Sequence, residues 1–403
     1  MCASIVAHRI HLLDSRLYFI MPDISEAAGI YIHIPFCVRK CPYCDFYSIT
    51  DFSRIPAYLN ALHQEMALAE KVPLQFNSLY FGGGTPSVLS PDQVASLRGK
   101  AFSHFNFSDD VEITLETNPG TVDSNRFKAY RAAGVNRVSV GVQSFSNDRL
   151  RFLGRIHTAD EARDAVEAAG TAGFDNICLD LIYGIPGQTE NSWIRDLETA
   201  LSYSPDHISC YMLTCEPGTP LDQDRLRARF KPMDDQNLGA LFRATGRFLS
   251  ERGYDRYEIS NFARCPAKQS RHNSKYWVSA PYIGLGVSAH SFIDPVRYWN
   301  HRSVEDYIAD ISNEKPPRAG NELLTRQQRI IEEIFLRLRT GQGIDMDAFD
   351  RKFGISFTEV FQGAVSCLTA RGLLKISGRR CWLNEEGMLF HDGIAAMFAR
   401  MEF

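Results

Sequence analysis

A chain of 403 residues exceeds the roughly 150 typical of one domain, so it implies two or three domains with a core that needs no disulfide staples. Hydrophobic residues at 44% and charged residues at 23% exclude wholesale disorder and fibrous repeats. The 44 basic and 48 acidic side chains leave a net charge of −4, which removes the electrostatic case for nucleic-acid binding.

Residues 1 to 28 carry the apolar patch Leu17-Tyr18-Phe19-Ile20 but neither a Lys-rich start nor a small-residue cleavage site. They are expected to be an N-terminal extension, with Met21 as an alternative start. No run approaches the roughly 18 apolar residues that span a bilayer. Reduced thiols and a cytoplasmic location follow as expectations for the ten cysteines.

From Ile30 to about Thr214, short apolar runs alternate with amphipathic stretches, the pattern of βα units around a parallel sheet. Predicted strands are Ile30 to Ile34, Ser78 to Phe81, Val111 to Glu116, Arg137 to Val142, Asn176 to Ile182 and His207 to Leu213. Predicted helices include Ile55 to Glu70, Ser124 to Ala133, Ala159 to Ala169 and Ser192 to Ser202, and Gly134 and Gly173 stand where left-handed C-caps belong. Six βα units fall short of an eight-stranded barrel. The α/β fold predicted is therefore a partial (β/α)6 TIM-like barrel over 29–235, with functional groups at the strand C-terminal ends. An irregular extension follows over 236–320. The segment 321–403 is predicted as a winged-helix-like α+β domain, from the stripe Ile330, Ile331, Ile334, Phe335, Leu338, two shorter helices and two strands around Leu374 to Leu383. Its eleven basic and eleven acidic residues favour packing or partner docking over DNA.

The first strand runs into Cys37-Val-Arg-Lys-Cys41-Pro-Tyr-Cys44. Three thiolates can hold three irons of a [4Fe-4S] cluster and leave the fourth open to an exogenous ligand. Structural zinc would need a fourth ligand, and no paired knuckle follows at the usual distance. With this triplet, the chain resembles the radical S-adenosylmethionine (SAM) superfamily. The likeness extends to Gly82-Gly83-Gly84-Thr85-Pro86 after the second strand, where Gly83, Gly84 and Thr85 let backbone approach the amino group of a small zwitterion.

Further matches resemble the branch containing oxygen-independent coproporphyrinogen oxidase and the HemW-type heme chaperones. The resemblance implies SAM contacts at Glu116, Gln143, Arg155 and Asp180, and neighbours of the cluster and adenine at Tyr31, Tyr43 and Phe46. Carboxylates would accept from hydroxyl or amino groups, while Arg and Gln would hold the methionine carboxylate. Taken singly, each of these has a structural alternative as a helix cap or surface residue. In this superfamily one electron passed to the cluster cleaves SAM to methionine and a 5′-deoxyadenosyl radical; the residues leave open whether that turnover belongs to the function.

Two features separate the functions in the branch. The oxidases carry another cysteine two residues after the triplet, where this chain has Phe46, and a longer N-terminal segment. The run His272-Asn273-Ser274-Lys275-Tyr276-Trp277 fits the H-N-x-x-Y-W signature associated with heme in the chaperones, making His272 the candidate axial ligand, with His290 and His301 behind it. The structural alternative is a histidine fixed in a polar loop with Tyr276 and Trp277 as packing. The expectation is a heme chaperone that delivers to heme-accepting proteins such as membrane respiratory cytochromes, with peripheral membrane contact during delivery and a reductant such as flavodoxin. The oxidase stands as the alternative.

Overall fold

The computed structural model describes residues 27–400, so the expectations for Leu17 to Ile20 and Met21 lie outside the described residues. Six strands pair in parallel and in chain order: β1 (Ala28–Ile34), β2 (Phe76–Gly83), β3 (Phe107–Thr117), β4 (Arg137–Gln143), β5 (Ile177–Tyr183) and β6 (His207–Met212). All six lie where the alternation predicts them. The crossovers are α1 (Ile55–Leu68), α2 (Pro91–His104), α3 (Ser124–Ala132), α4 (Asn147–Phe152) with α5 (Ala159–Thr171), and α6 (Glu190–Ser202). The helix α2 was not predicted. It opens on a capping box of Ser90 and Gln93 and buries only Val94, Leu97 and Ala101, a stripe too thin to stand out among its polar residues.

Period-two alternation gives each parallel strand an apolar outer face and a polar inner one. On β1, Ile30, Ile32 and Ile34 are fully buried against the helices, while Tyr31 and His33 point inward. Tyr80 and Glu116 repeat the inward placement on β2 and β3, where they hydrogen-bond each other. A barrel lined with hydrogen-bonding groups rather than Val and Leu is built to hold a polar ligand.

After α7 (Pro220–Leu226) and α8 (Asp235–Ser250), β7 (Asp255–Arg256) and β8 (Asn261–Ala263) extend the sheet beyond β6 in antiparallel fashion. At the other edge, α9 (Arg271–Trp277) leads to β9 (Tyr282–Leu285), which pairs parallel with β1. The extension thus adds a seventh parallel strand to the six expected. β10 (His290–Ile293), β11 (Val296–Asn300) and β12 (Arg318–Leu323) continue antiparallel to the end of a twelve-stranded sheet, and α10 (Val304–Ser312) packs on α1. The expected boundary at 320 falls within β12. Glu65 of α1 ties these pieces together: it accepts from Asn300 Nδ2 at 2.6 Å, Tyr307 OH at 2.7 Å and Gly286 N at 2.7 Å.

The C-terminal region carries α11 (Arg326–Leu338), α12 (Met346–Phe353), α13 (Phe357–Val360) and α14 (Gln362–Ala370), then α15 (Glu385–Leu389) and α16 (His391–Ala399). Its hairpin of β14 (Leu374–Ser377) and β15 (Arg380–Leu383) gains a third strand, β13 (Ile344–Asp345). The predicted apolar stripe needs one correction. Ile330, Ile334 and Leu338 are buried, but Phe335 is 37% exposed, and Glu333 takes a buried place because Arg337 and Lys352 neutralise it. No helix among the described residues is long and apolar enough to cross a membrane.

Candidate functional site

The cysteine loop leaves the C-terminal end of β1 and is held by main-chain bonds from Cys37 N to Ile49 O (2.9 Å), Ile49 N to Pro35 O (2.7 Å) and Cys44 N to Cys41 O (3.1 Å). Arg39 fastens it to the next layer by donating to Gly154 O at 2.6 Å and Arg155 O at 3.0 Å. Gly154, at φ +66°, lies under Pro42, whose Cδ would sit 2.5 Å from any added Cβ. Each thiol has its own setting. Cys37 receives Thr85 Oγ1 at 3.5 Å, and Cys41 receives Arg155 Nη1 at 3.6 Å. Burial pushes the Cys44 thiol up, with the charges of Cys41 and Cys37 adding to it.

The glycine run at the end of β2 fills the gap between this loop and the barrel. A Cβ on Gly84 would meet Phe36 O at 2.8 Å and Cys37 Sγ at 3.0 Å, and one on Gly83 (φ +114°) would strike the His33 ring at 2.6 Å. Only bare backbone fits there, and Gly83 N donates to Glu116 Oε2 at 3.1 Å. The other carboxylate oxygen, Oε1, accepts from Tyr80 OH at 2.8 Å. Burial raises the Glu116 carboxyl to about 7 against these two bonds, with the Asp180 charge adding to the rise and Arg137 opposing it.

Gln143 ends β4 at φ +65°, a left-handed conformation a non-glycine residue holds at a cost of order 1 kcal/mol or more. A break in the β4–β5 register after Val140 accompanies it. Arg155 donates to Gly141 O at 2.9 Å and to Tyr43 OH at 3.5 Å, while its buried Nε has no partner among the described residues. Asp180 accepts from Ser139 Oγ at 2.7 Å and Cys178 Sγ at 3.2 Å. The cysteines, Gly83, Gly84, Thr85, Tyr43 and Arg155 thus form one contact chain, and Glu116, Tyr31 and Tyr80 form the wall beneath it. Phe46 stands apart, 66% exposed and without an aromatic contact among the described residues.

His272 lies elsewhere. It sits on α9 rather than in a polar loop, at the N-terminal end of the strands, and is 1% exposed. Ser78 Oγ lies 3.0 Å from its Nδ1 and Tyr276 OH 2.9 Å from its Nε2, while its ring stacks on Tyr80 at 5.0 Å and on Tyr31 at 6.1 Å. Burial, with the Lys275 and Arg137 charges, lowers it to about 3. Both ring nitrogens are engaged in this arrangement, by Ser78 and Tyr276. α9 closes the barrel floor, its N-terminus capped by Glu112, which accepts from Arg271 N at 3.1 Å and His272 N at 3.2 Å.

The sequence reading missed Tyr80, His33 and Arg39. The first two were findable, because they stand two residues from Gly82 and Tyr31 on the same inward-facing strand phases. Arg39 gave no signal, since its acceptors lie more than a hundred positions away.

Three donor sulfurs on one loop, a glycine cradle too tight for side chains and an orphaned guanidinium nitrogen together fit a cluster with a zwitterionic ligand beside it. The comparisons agree. The family described as the radical SAM superfamily matches residues 31–200, and the HemN C-terminal domain family matches 324–390. Heme chaperone HemW of Bacillus subtilis is 34% identical over 91% of this chain and 98% of its own. Heme chaperone HemW of Escherichia coli is 41% identical over 67% of this chain and 70% of its own. In fold, the chain is similar to coproporphyrinogen III oxidase (HemN) from Escherichia coli, with a TM-score of 0.81 at 24% identity, covering 94% of this chain and 91% of that one. The chain belongs to the HemW family of heme chaperones within the radical SAM superfamily.

Proposed function

We propose that the protein is a heme chaperone that carries a [4Fe-4S] cluster on Cys37, Cys41 and Cys44, binds SAM at the strand C-terminal ends, and passes heme to acceptor proteins. Similarity to proteins named heme chaperone HemW, over 98% of the length of the Bacillus subtilis relative, carries the reading. Phe46 supports it, standing where a fourth cysteine is expected in the oxidases.

When bound, the cluster and SAM together supply one-electron chemistry at the sulfonium. The chain's own residues do the positioning. Thr85 and Arg155 orient the thiols of Cys37 and Cys41, and the remaining Arg155 capacity suits the methionine carboxylate. Glu116 and Asp180 present carboxylate oxygens to SAM donors, and Gln143 is held in its strained conformation at the same rim. Acceptors in this reading are membrane respiratory cytochromes, with a flavodoxin-type reductant and peripheral membrane contact. In this reading the chain divides into a barrel over 29–235, an extension over 236–320 and a C-terminal domain over 321–403.

The test is heme transfer from anaerobically prepared, heme-loaded protein to a heme-free cytochrome, with and without SAM. Transfer is the expected result. Conversion of coproporphyrinogen III to protoporphyrinogen by the reduced protein and SAM would overturn the reading in favour of the oxidase.

A further inference from the structure

The buried cysteines Cys210 and Cys381 pack in the apolar core, where a thiol serves as a small hydrophobe. Cys178 of β5 does not. It is 1% exposed, yet three polar side chains surround its sulfur inside the barrel. Cys178 pairs with Ser139 of β4 and His207 of β6, and Asp180 pairs with Ser209, so all five share the inner face.

Cys178 Sγ lies 3.2 Å from Asp180 Oδ1, 2.9 Å from His207 Nδ1 and 3.3 Å from Ser209 Oγ, and His207 Nε2 lies 2.7 Å from Tyr257 OH. The Tyr257 oxygen accepts from the main-chain N of Ser270, the N-cap of α9, at 3.4 Å. A continuous polar chain therefore runs from the barrel floor to Asp180.

The three middle members are neutral. Burial pushes the Cys178 thiol up to about 12, with the Asp180 charge adding to the rise and Arg137 opposing it. Burial and the Arg137 charge hold His207 well below its ordinary range, and burial raises Tyr257. Each then has one proton to give, on sulfur, on one ring nitrogen and on the phenol oxygen. Asp180, which accepts from the thiol, fixes the order in which they point. Cys178 donates to Asp180 Oδ1, His207 Nδ1–H donates to the sulfur, and Tyr257 O–H donates to His207 Nε2. The opposite order would turn sulfur lone pairs on the carboxylate at 3.2 Å.

Asp180 is held from one side. Its Oδ2 accepts from Ser139 Oγ at 2.7 Å, and Ser139 is level with Cys178 in the register, two residues towards the floor. Both donors thus come from the layer beneath, and each oxygen keeps a second lone pair for a ligand at the strand C-terminal ends. A carboxylate already fixed in one rotamer loses no freedom when that ligand arrives.

We propose, on the SAM-binding reading above, that Cys178, oriented by His207 and Tyr257, is a positioning residue that fixes the Asp180 carboxylate for the donor groups of SAM. Cys178, His207 and Tyr257 act through Asp180 and need touch no ligand themselves.

The experiment pairs SAM calorimetry with infrared spectroscopy of the S–H stretch, both on the full-length, cluster-reconstituted chain. Cys178→Ala should weaken SAM binding by about tenfold, whereas Cys178→Ser, which keeps a donor, should stay within about twofold of the parent. Tyr257→Phe removes only the far end of the chain and should weaken binding by about threefold. The band lost in Cys178→Ser should have the low frequency of a hydrogen-bonded thiol. It should move in Asp180→Asn and again when SAM is added to the parent, whereas a thiol that only fills space would ignore both. Parent affinity in Cys178→Ala or Tyr257→Phe, a Cys178→Ser variant as weak as Cys178→Ala, or a band unmoved by Asp180→Asn would overturn the assignment. Should Cys178→Ala fail to fold, Tyr257→Phe and the infrared band still decide it. Failure of the parent chain to bind SAM at all would instead refute the SAM-binding reading itself.

Discussion

Glu116 concentrates the electrostatic problem of the barrel in one side chain. It is half-buried with Tyr80 and Gly83 as donors, and desolvation together with the like charge of Asp180 pushes it up to about 7 against the opposite charge of Arg137. A SAM donor that bonds to the carboxylate binds the ionised form. Affinity should therefore be constant above pH 7 and fall as pH drops below it, by at most about tenfold per pH unit. Titrating SAM into the reconstituted protein by calorimetry between pH 6 and pH 8.5 checks this. Glu116→Gln should bind weakly and with a flat profile, and a flat profile in the parent chain would contradict the assignment. The placement of Glu116 was legible in the sequence, because period-two alternation puts strand-end polar residues inside the barrel. Its perturbed titration was not, because Tyr80, Asp180 and Arg137 converge on it only through the strand order.

The same contrast appears among the elements. Six strands and most crossovers announced themselves through apolar spacing and turn residues, since local periodicity is a local property. α9 did not. Its seven residues carry a polar sequence, and its role is fixed by partners such as Ser78, 194 positions from His272. A histidine that looked like a free ligand in the chain is the keystone of the barrel floor in the fold. Replacing His272 by Ala would delete a buried ring, leave Ser78 and Tyr276 without their acceptor or donor, and cost roughly 2–4 kcal/mol in chemical denaturation. Since the ring also supports Tyr80 under Glu116, SAM binding should weaken by about tenfold as well. A variant as stable as the parent, with full SAM affinity, would show that the floor does not act on the site.

At the scale of the whole molecule, the question is what joins the C-terminal helices to the barrel sheet. The apolar core is continuous, running from Ile30 of β1 through Ile334 of α11 to Phe398 of α16. Several ion pairs cross the seam, Arg297 with Glu332 and Arg329 with Asp294 among them, and three others are unequal. Arg243 with Glu386 has both partners 44% exposed, and Arg256 with Glu385, at 3.5 Å, keeps its carboxylate 43% exposed, so solvent screens both. Glu258 is fully buried: it accepts from Arg339 Nε at 2.7 Å and from Ser260 N at 2.9 Å, and the Arg339 guanidinium also lies 4.5 Å from the Trp277 ring centre at the end of α9. Removing one partner of a buried pair strands the other charge, which typically costs about 3–5 kcal/mol, whereas an exposed pair contributes about 0–1 kcal/mol. Arg339→Ala should therefore lower stability by about 3 kcal/mol or more, and Arg243→Ala by less than about 1 kcal/mol, in guanidinium denaturation of the cluster-free chain. Because Arg339 touches α9, the floor of the barrel, its loss should also raise amide hydrogen exchange at Arg271–Trp277, while Arg243→Ala leaves that helix protected. Equal effects of the two substitutions would mean that the buried pair holds the C-terminal helices no more firmly than the exposed one.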